Sequence, residues 1–477
     1  MRSLIFVSKN LLILITIFIN CLIVYLDRYF GEVNFEQLIF HINFSNNLII
    51  DSDEYIIKKF FQICVLIPFL LIILINIFFF ISSKFQRAFN NLLFSILIFF
   101  LLIFTLIRSN DFIKFGEYYS NNKYDIIEKN YISPKKIEFN FEKSQNLILI
   151  YVESFENIFQ NENIFGENLI EELNEYNKDS VSFKNFVQTP LTEWTIASIV
   201  ATQCGLPLKN YGLFTFGKQT GKHLRTVFGF DNFLPNAICL GDLLKNNGYE
   251  NIFIGSHNTT FTGTGNFFKT HGYKEVYGKE IYDKLDITYH PGSWGEGPND
   301  SFLFNFAKEK LDRLVNDKKK FLLTILTTDT HEPFGYHDPK CNSLNQDIQS
   351  AIKCSSKSIL DFISFIENEY PGKMKIIILG DHLYRFGNKN DFLIPNNRTI
   401  FNKFLTNENK EIMRDNINHY DFYPTILDFI DVRFNDNKIG LGYSGFKEVS
   451  LDEYKFQSDQ IKNNILNKSK FYESFWK

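Results

Sequence analysis

Residues 146–154 read NLILIYVES, an apolar run that stops abruptly at Glu153 and Ser154. The run is too short for a stable helix and lacks the polar alternation of a half-exposed strand. It therefore predicts a strand buried on both faces. Related runs occur at Asn251–Ile254 (NIFI), Phe321–Leu326 (FLLTIL) and Lys375–Leu379 (KIIIL), with amphipathic segments at 236–247 and 301–315 between them. Strands alternating with helices predict an α/β domain whose central sheet is mostly parallel and covered on both sides. In such sheets chemistry collects just beyond the carboxyl ends of the strands.

Three of the four runs end in groups suited to chemistry: Glu153-Ser154, then Thr327-Thr328-Asp329-Thr330-His331, then Gly380-Asp381-His382. Any one of these is an ordinary turn or helix cap. Together, Glu153, Asp381 and His382 offer hard oxygens and one imidazole, a ligand set for a catalytic divalent cation with open positions. A fourth element, Thr189–Ser198 (TPLTEWTIAS), passes from a polar loop into a helical run carrying Ile196, Ile199 and Val200. A threonine at such a helix start meets free N–H groups and a dipole that favour an oxyanion. Thr195 or Thr192 could equally cap the helix, and local sequence leaves both uses open. His257 and His271 follow the second strand and suit either a pocket lining or a structural role.

The chain ahead of these strands has another character. No charged residue occurs within 10–26, 60–83 or 88–107, windows of 17, 24 and 20 residues, and about 20 apolar residues cross a bilayer core. Three transmembrane helices are expected, at about 10–26, 60–81 and 88–107. Asp27-Arg28 directly follows the first window with no Ala-x-Ala-like cleavage site, so a retained anchor is expected rather than a signal peptide. Arg2, Lys9, Lys84 and Arg87 favour the cytoplasm, which puts everything after residue 108 outside. The expected organisation is a membrane domain at 1–108, a connector at 109–144, a catalytic domain at 145–435 and a C-terminal extension at 436–477. A net charge of −4 gives no basic face for nucleic acid. The soluble part holds four cysteines, an even number that suits a disulfide framework in an exported domain. Three pairings are possible. The sequence-neighbouring one joins Cys204 to Cys239 and Cys341 to Cys354, each loop worth about 3–4 kcal/mol on the chain-entropy account.

WTIASIVATQCGLPL (Trp194–Leu208) and CLGDLLKNNGY (Cys239–Tyr249) resemble the phosphoglycerol transferases of periplasmic glucans. Around that group the chain is similar to lipoteichoic acid synthases and phosphoethanolamine transferases, a branch of the alkaline phosphatase and sulfatase superfamily. FFKTHGY (Phe267–Tyr273), DTHEPF (Asp329–Phe334), GDH (Gly380–His382) and HYDFYPTILD (His419–Asp428) occur in the order of that superfamily, over roughly residues 145–430. The resemblance implies that Thr195 is the nucleophile and that Glu153, Thr195, Asp381 and His382 hold one divalent cation. Mn2+ is the first expectation, with Zn2+ or Mg2+ as alternatives. It also implies substrate contacts for His331, Trp294 and Asp300, the last two in SWGEGPND. The implied reaction moves phosphoglycerol from phosphatidylglycerol to an exported glycan, at a bacterial inner membrane with the catalytic domain in the periplasm. A phosphoethanolamine transferase acting on lipopolysaccharide or a surface glycan is the alternative, and a non-catalytic relative of the fold the second. No Cys/Ser-x-Pro-x-Arg motif of the formylglycine sulfatases occurs near 189–205, which argues against sulfate-ester hydrolysis.

A reporter fused after residue 109 tests the topology. Activity is expected only from a reporter that works outside the cytoplasm, and a cytoplasm-only reporter that is active there overturns the orientation.

Overall fold

The structure, a computed structural model, describes residues 2–31, 33–44, 54–81, 92–118, 125–176, 180–210, 232–290, 297–332, 335–336, 338–341, 347–385, 394–406, 408 and 410–477. The chain divides into two compact units, Met1–Leu38 with Leu48–Ser120, and Ile39–Asn47 with Asn121–Lys477.

In the first unit, helices Ile5–Phe30, Tyr55–Phe79 and Leu92–Ile113 are long and apolar enough to cross a membrane. Each extends past its charge-free window at one end or both, because a helix continues until its backbone finds a stop and not until its side chains turn polar. The second helix widens to a π-turn at Phe61–Leu66, where the Ile67 N–H reaches back to the Gln62 carbonyl. Pro68 follows at once; it has no N–H and its ring crowds the preceding turn, so the backbone there loosens. Polar contacts join the helices: Asn20 Nδ2 donates to Thr105 Oγ1 (2.8 Å), Arg108 to Asn20 Oδ1 (2.7 Å) and Asn76 Nδ2 to Asn10 Oδ1 (2.7 Å). Such bonds are a common adhesive between apolar helices.

The second unit is built on six strands: β1 Asn146–Val152, β2 Glu250–Gly255, β3 Glu275–Tyr277, β4 Phe321–Leu326, β5 Met374–Gly380 and β6 Asn402–Leu405. Their spatial order is β3-β2-β4-β1-β5-β6, parallel throughout except for β6, which runs antiparallel to β5. The apolar run that opened the sequence is thus a central strand. Its side chains alternate between two layers, as period-two geometry requires. Leu147, Leu149 and Tyr151 enter one core with α1 (Thr195–Cys204), α2 (Leu240–Asn246) and later α5 (Phe422–Phe429). Ile148, Ile150 and Val152 enter the other with α3 (Asp300–Asn316) and α4 (Ile348–Glu369). Each of these fully buried aliphatic side chains stabilises the fold by about 1.5–3 kcal/mol.

Both flanks of the expected catalytic segment join the same unit. Ile126 and Ile127 lie in the first core, as do Ile465 and Trp476 near the C-terminus. Trp476 Nε1 donates to the Lys209 carbonyl (3.0 Å), and the buried Lys209 ammonium donates to the Ile465 carbonyl (2.9 Å), a cation at the end of helix α6 (Leu451–Asn464). The segment expected as an extension therefore closes the core.

Cys204 and Cys239 lie with their sulfurs at bonding distance and Cα atoms 4.2 Å apart; Cys341 and Cys354 do so with Cα atoms 5.8 Å apart. The first pair ties the end of α1 to the start of α2. Non-reducing peptide mapping of the purified protein is expected to recover these two bridges, with Cys21 and Cys64 free to alkylate. Free thiols at all four positions overturn the pairing.

Candidate active site

Strand order decides which loops meet. β1 lies between β4 and β5, and the register sets Val152 opposite Gly380 and Tyr151 opposite Leu326. Glu153, Thr327 and Asp381 each follow one of those residues, so three loops leave the sheet side by side. A Cβ at Gly380 would stand 1.9 Å from the Phe155 carbonyl oxygen, so only glycine lets the chain after β1 cross the end of β5.

Glu153 and Asp381 are 2% and 0% exposed. Facing oxygens and nitrogens of Glu153, Asp381 and His382 all lie within 4.8 Å of one another, and so do those of Glu153, His331 and Glu332. His382 Nε2 is 3.3 Å from Glu153 Oε1 and 3.5 Å from Asp381 Oδ2. Its Nδ1 donates to the Leu383 carbonyl (3.1 Å), which fixes the tautomer and leaves Nε2 to face the carboxylates. His331 is held the same way: Nδ1 donates to the Glu332 carbonyl (2.7 Å), and Nε2 lies 3.9 Å from Glu153 Oε1.

Thr195 is the first residue of α1, and its Oγ1 donates to Glu153 Oε2 (3.2 Å). The helix cap is Trp194, with no side-chain hydrogen bond to the first turn. No side chain of the cap residue satisfies the N–H groups of that turn, and a helix start of this kind favours an anion. The capping alternative for either threonine does not hold. Thr192 instead closes the preceding turn, accepting from Thr189 N (3.3 Å) and donating to the Thr189 carbonyl (2.6 Å).

Ser154 occupies a left-handed conformation, φ 50°, that L-residues adopt at a cost. Its N–H donates to Asp381 Oδ1 (2.7 Å), and its hydroxyl lies 2.9 Å from Glu153 Oε1 and 2.8 Å from Glu332 Oε2. One hydroxyl carries one proton, so it cannot satisfy both carboxylates at once.

The electrostatics reflect this crowding. Burial, followed by the charge of Glu153, pushes Asp381 up to about 7. Burial opposes a charged His382, yet Asp381 and Glu153 outweigh it and raise the imidazole to about 10. Burial also opposes the charge on Glu153, but His331 and His382 hold its carboxyl well below the ordinary range. Asp381 Oδ2 is buried with no hydrogen-bond donor. Clustered buried carboxylates, an orphaned oxygen and an imidazole whose Nε2 faces them fit a divalent cation.

The remaining expected residues fall differently. Asp300, at the start of α3, is 1% exposed, and its carboxylate accepts from Thr328 N (2.9 Å), Asp329 N (3.2 Å) and Ser355 Oγ (2.8 Å). These bonds tie the loop after β4 to α3 and α4. Trp294 lies outside the described residues. His271 is buried against Asp242 (2.7 Å) at the start of α2 and is structural. Burial holds the His257 imidazole below its usual value; the charges of Glu280 and Glu153 act against that shift, and that of His331 adds to it.

Sequence inspection missed several groups. Glu332 follows His331 in a quoted motif, and that adjacency was its only signal. Arg385 stands 3.6 Å from Glu332 Oε1 and donates to the Glu193 carbonyl (2.8 Å), and no periodicity marks it. His419 Nε2 donates to the Asp381 carbonyl (2.7 Å) and so holds the strand end from below.

Comparisons with known proteins agree with this geometry. The profile described as Sulfatase matches residues 145–432. Phosphoglycerol transferase I from Salmonella paratyphi B is 33% identical over 324 residues, 65% of this chain and 40% of that protein. Phosphoglycerol transferase I from Citrobacter koseri is 32% identical over 329 residues, 66% of this chain and 41% of the relative. The chain thus spans about two-fifths of the length of these curated relatives. Among solved structures, an alkaline phosphatase superfamily protein from Vibrio parahaemolyticus shares the fold, with a TM-score of 0.52 and 20% identity over 68% of this chain and 78% of that one. The lipoteichoic acid synthase LtaP from Listeria monocytogenes does so with a TM-score of 0.51 and 16% identity, over 71% of this chain and 93% of that one. With well over half of its residues matched by the profile, and the metal-type cluster at the strand ends of the shared fold, the chain belongs to the Sulfatase family.

Proposed function

We propose that this chain is a membrane-anchored phosphotransferase that moves phosphoglycerol from phosphatidylglycerol to an exported glycan through a covalent intermediate on Thr195. The observation that carries this proposal is the Thr195 hydroxyl, uncapped at the start of α1 and hydrogen-bonded to a carboxylate that also faces two imidazoles. Similarity to proteins named phosphoglycerol transferase I supports the transferred group.

Glu153, Asp381, His382 and the Thr195 oxygen would hold one divalent cation, Mn2+ being the first expectation. Bound there, the cation lowers the pKa of a nearby hydroxyl and offsets the charge of a phosphodiester. The chain supplies the rest. The hydrogen bond to Glu153 aims Thr195 Oγ at the substrate. A bond forms from Oγ to phosphorus, and the bond from phosphorus to the diacylglycerol oxygen breaks. The proton lost by Thr195 is matched by one gained at the leaving oxygen, and His331 Nε2 faces the same space as a candidate donor or as a contact for a phosphoryl oxygen. An acceptor hydroxyl then attacks the same phosphorus, its proton replaces the one Thr195 gave up, and the threonine is regenerated. Uncapped N–H groups of α1 favour the anionic phosphoryl group. Three helices long and apolar enough to cross a membrane support a lipid donor, and this reading puts the catalytic unit in the periplasm.

Thr195→Ala is expected to abolish transfer, and Thr195→Ser to keep part of it. Thr192→Ala is expected to keep activity within about tenfold while losing about 1–3 kcal/mol of stability from the broken turn. Intact-mass analysis of trapped enzyme should find the added group on Thr195. The mass of phosphoethanolamine there favours the alternative donor, and an essential Thr192 with a dispensable Thr195 overturns the assignment.

Metal content offers a separate check. Asp381→Ala and His382→Ala are expected to leave the purified protein without its stoichiometric divalent ion by elemental analysis, while Thr192→Ala retains it. Full metal content in both variants overturns the ligand set.

A further inference from the structure

A hollow lies at the end of the sheet opposite Glu153 and Asp381. It encloses about 540 Å3 and is lined by Lys143, Lys410, Arg433, Lys447, Asp428 and Asp431. Gln145, which precedes β1, also borders it, and from Gln145 to Glu153 the extended chain covers about 26 Å at about 3.3 Å per residue. The hollow is therefore remote from the candidate catalytic cluster.

Its charges are arranged in two ways. Lys410 is bound to Asp431 (2.7 Å) and Lys447 to Asp428 (3.5 Å). Lys143 and Arg433 are exposed, and among the described residues neither has an ion-pair partner. A smaller hollow of about 120 Å3 shares Gln145 and Glu408 with the first and brings Tyr370, Met374 and Ile376 to its wall. The shared wall joins the two into one trough whose lining includes the unpaired cations Lys143 and Arg433, ammonium–carboxylate pairs including Lys375 with Glu408 (2.8 Å), and Tyr370 with Met374 and Ile376, while the Glu367 carboxylate on the smaller hollow's wall accepts from Tyr176.

We propose that this trough binds an anionic oligosaccharide. Unpaired cations suit a phosphate or carboxylate substituent, alternating donors and acceptors suit ring hydroxyls, and an aromatic wall suits the C–H face of a sugar. The combined volume falls within the range of small-ligand sites. A transferase that adds anionic groups to a glycan would hold an already modified stretch of the chain here while a fresh hydroxyl reaches Thr195. That link to the acceptor rests on the proposed function; the binding site itself does not.

The test is calorimetric titration of the full-length protein in detergent with chelator present. The probes are a phosphorylated gluco-oligosaccharide, its unphosphorylated parent and inorganic phosphate. The phosphorylated probe is expected to bind at least fivefold more tightly than the parent. The double variant Lys143→Ala, Arg433→Ala should weaken it at least tenfold, and Thr195→Ala should leave it unchanged. Absence of binding, or equal binding by the double variant, overturns the proposal, and inorganic phosphate binding as tightly as the oligosaccharide overturns the saccharide assignment. Failure of the proposed reaction would register elsewhere, as transfer that survives Thr195→Ala.

Discussion

Carboxylates forced together out of water, at the carboxyl ends of β1 and β5, are the constraint on which the rest of this site depends. Glu153 and Asp381 each follow a fully buried strand, and the parallel register sets them beside one another. Two like charges in a buried place are unstable without a compensating cation. The protein supplies part of that compensation with His382, whose imidazole is raised by both neighbours. Glu332 is buried at the same place, and there burial is outweighed by His331, Arg385 and His382, which hold its carboxyl below the ordinary value. The orphaned Asp381 oxygen marks what side chains leave unfinished.

Neighbouring elements can be understood as supports for that cluster. Ser154 accepts a left-handed backbone because its N–H and hydroxyl then reach Asp381, Glu153 and Glu332 together. Each of the two imidazoles at the cluster is oriented by a carbonyl on the following residue, so the nitrogen facing the carboxylates is settled by local backbone geometry. Helix α1 brings Thr195 to Glu153 and is anchored at its far end, where Cys204 meets Cys239. Anchoring the helix at its C-terminus leaves its N-terminus open to chemistry. Asp300 acts one step further out, fixing the loop from which His331 and Glu332 project.

Much of the site was legible in the sequence because its residues sit where apolar runs stop. Glu153, His331, Asp381 and His382 could be found by reading along each strand to its first polar groups, and Thr195 by the change from loop to helix. Those are local signals. The bonding of Asp300 was not legible, because a buried carboxylate with three donors from the chain looks the same in sequence as one facing a substrate. Arg385 carried no signal, and His419 stood in a quoted motif without a role, since their partners lie far away along the chain.

By itself the sequence determined the element types, the three apolar helices, the acids and imidazoles just past strand ends, the threonine at a helix start, and the absence of a formylglycine motif. Side-chain periodicity, run length and helix breakers act over a few residues, so they survive in a one-dimensional record. Only the tertiary structure decided that β1 lies between β4 and β5, that Ser154 and Glu332 join the cluster, that Ile465 and Trp476 close the core, and that Lys143 and Arg433 share a trough with Tyr370 at the remote end of the sheet. Each of these depends on which distant segments become neighbours and on which lone pairs and charges remain unpaired once they do. Both are set by packing the whole chain at once.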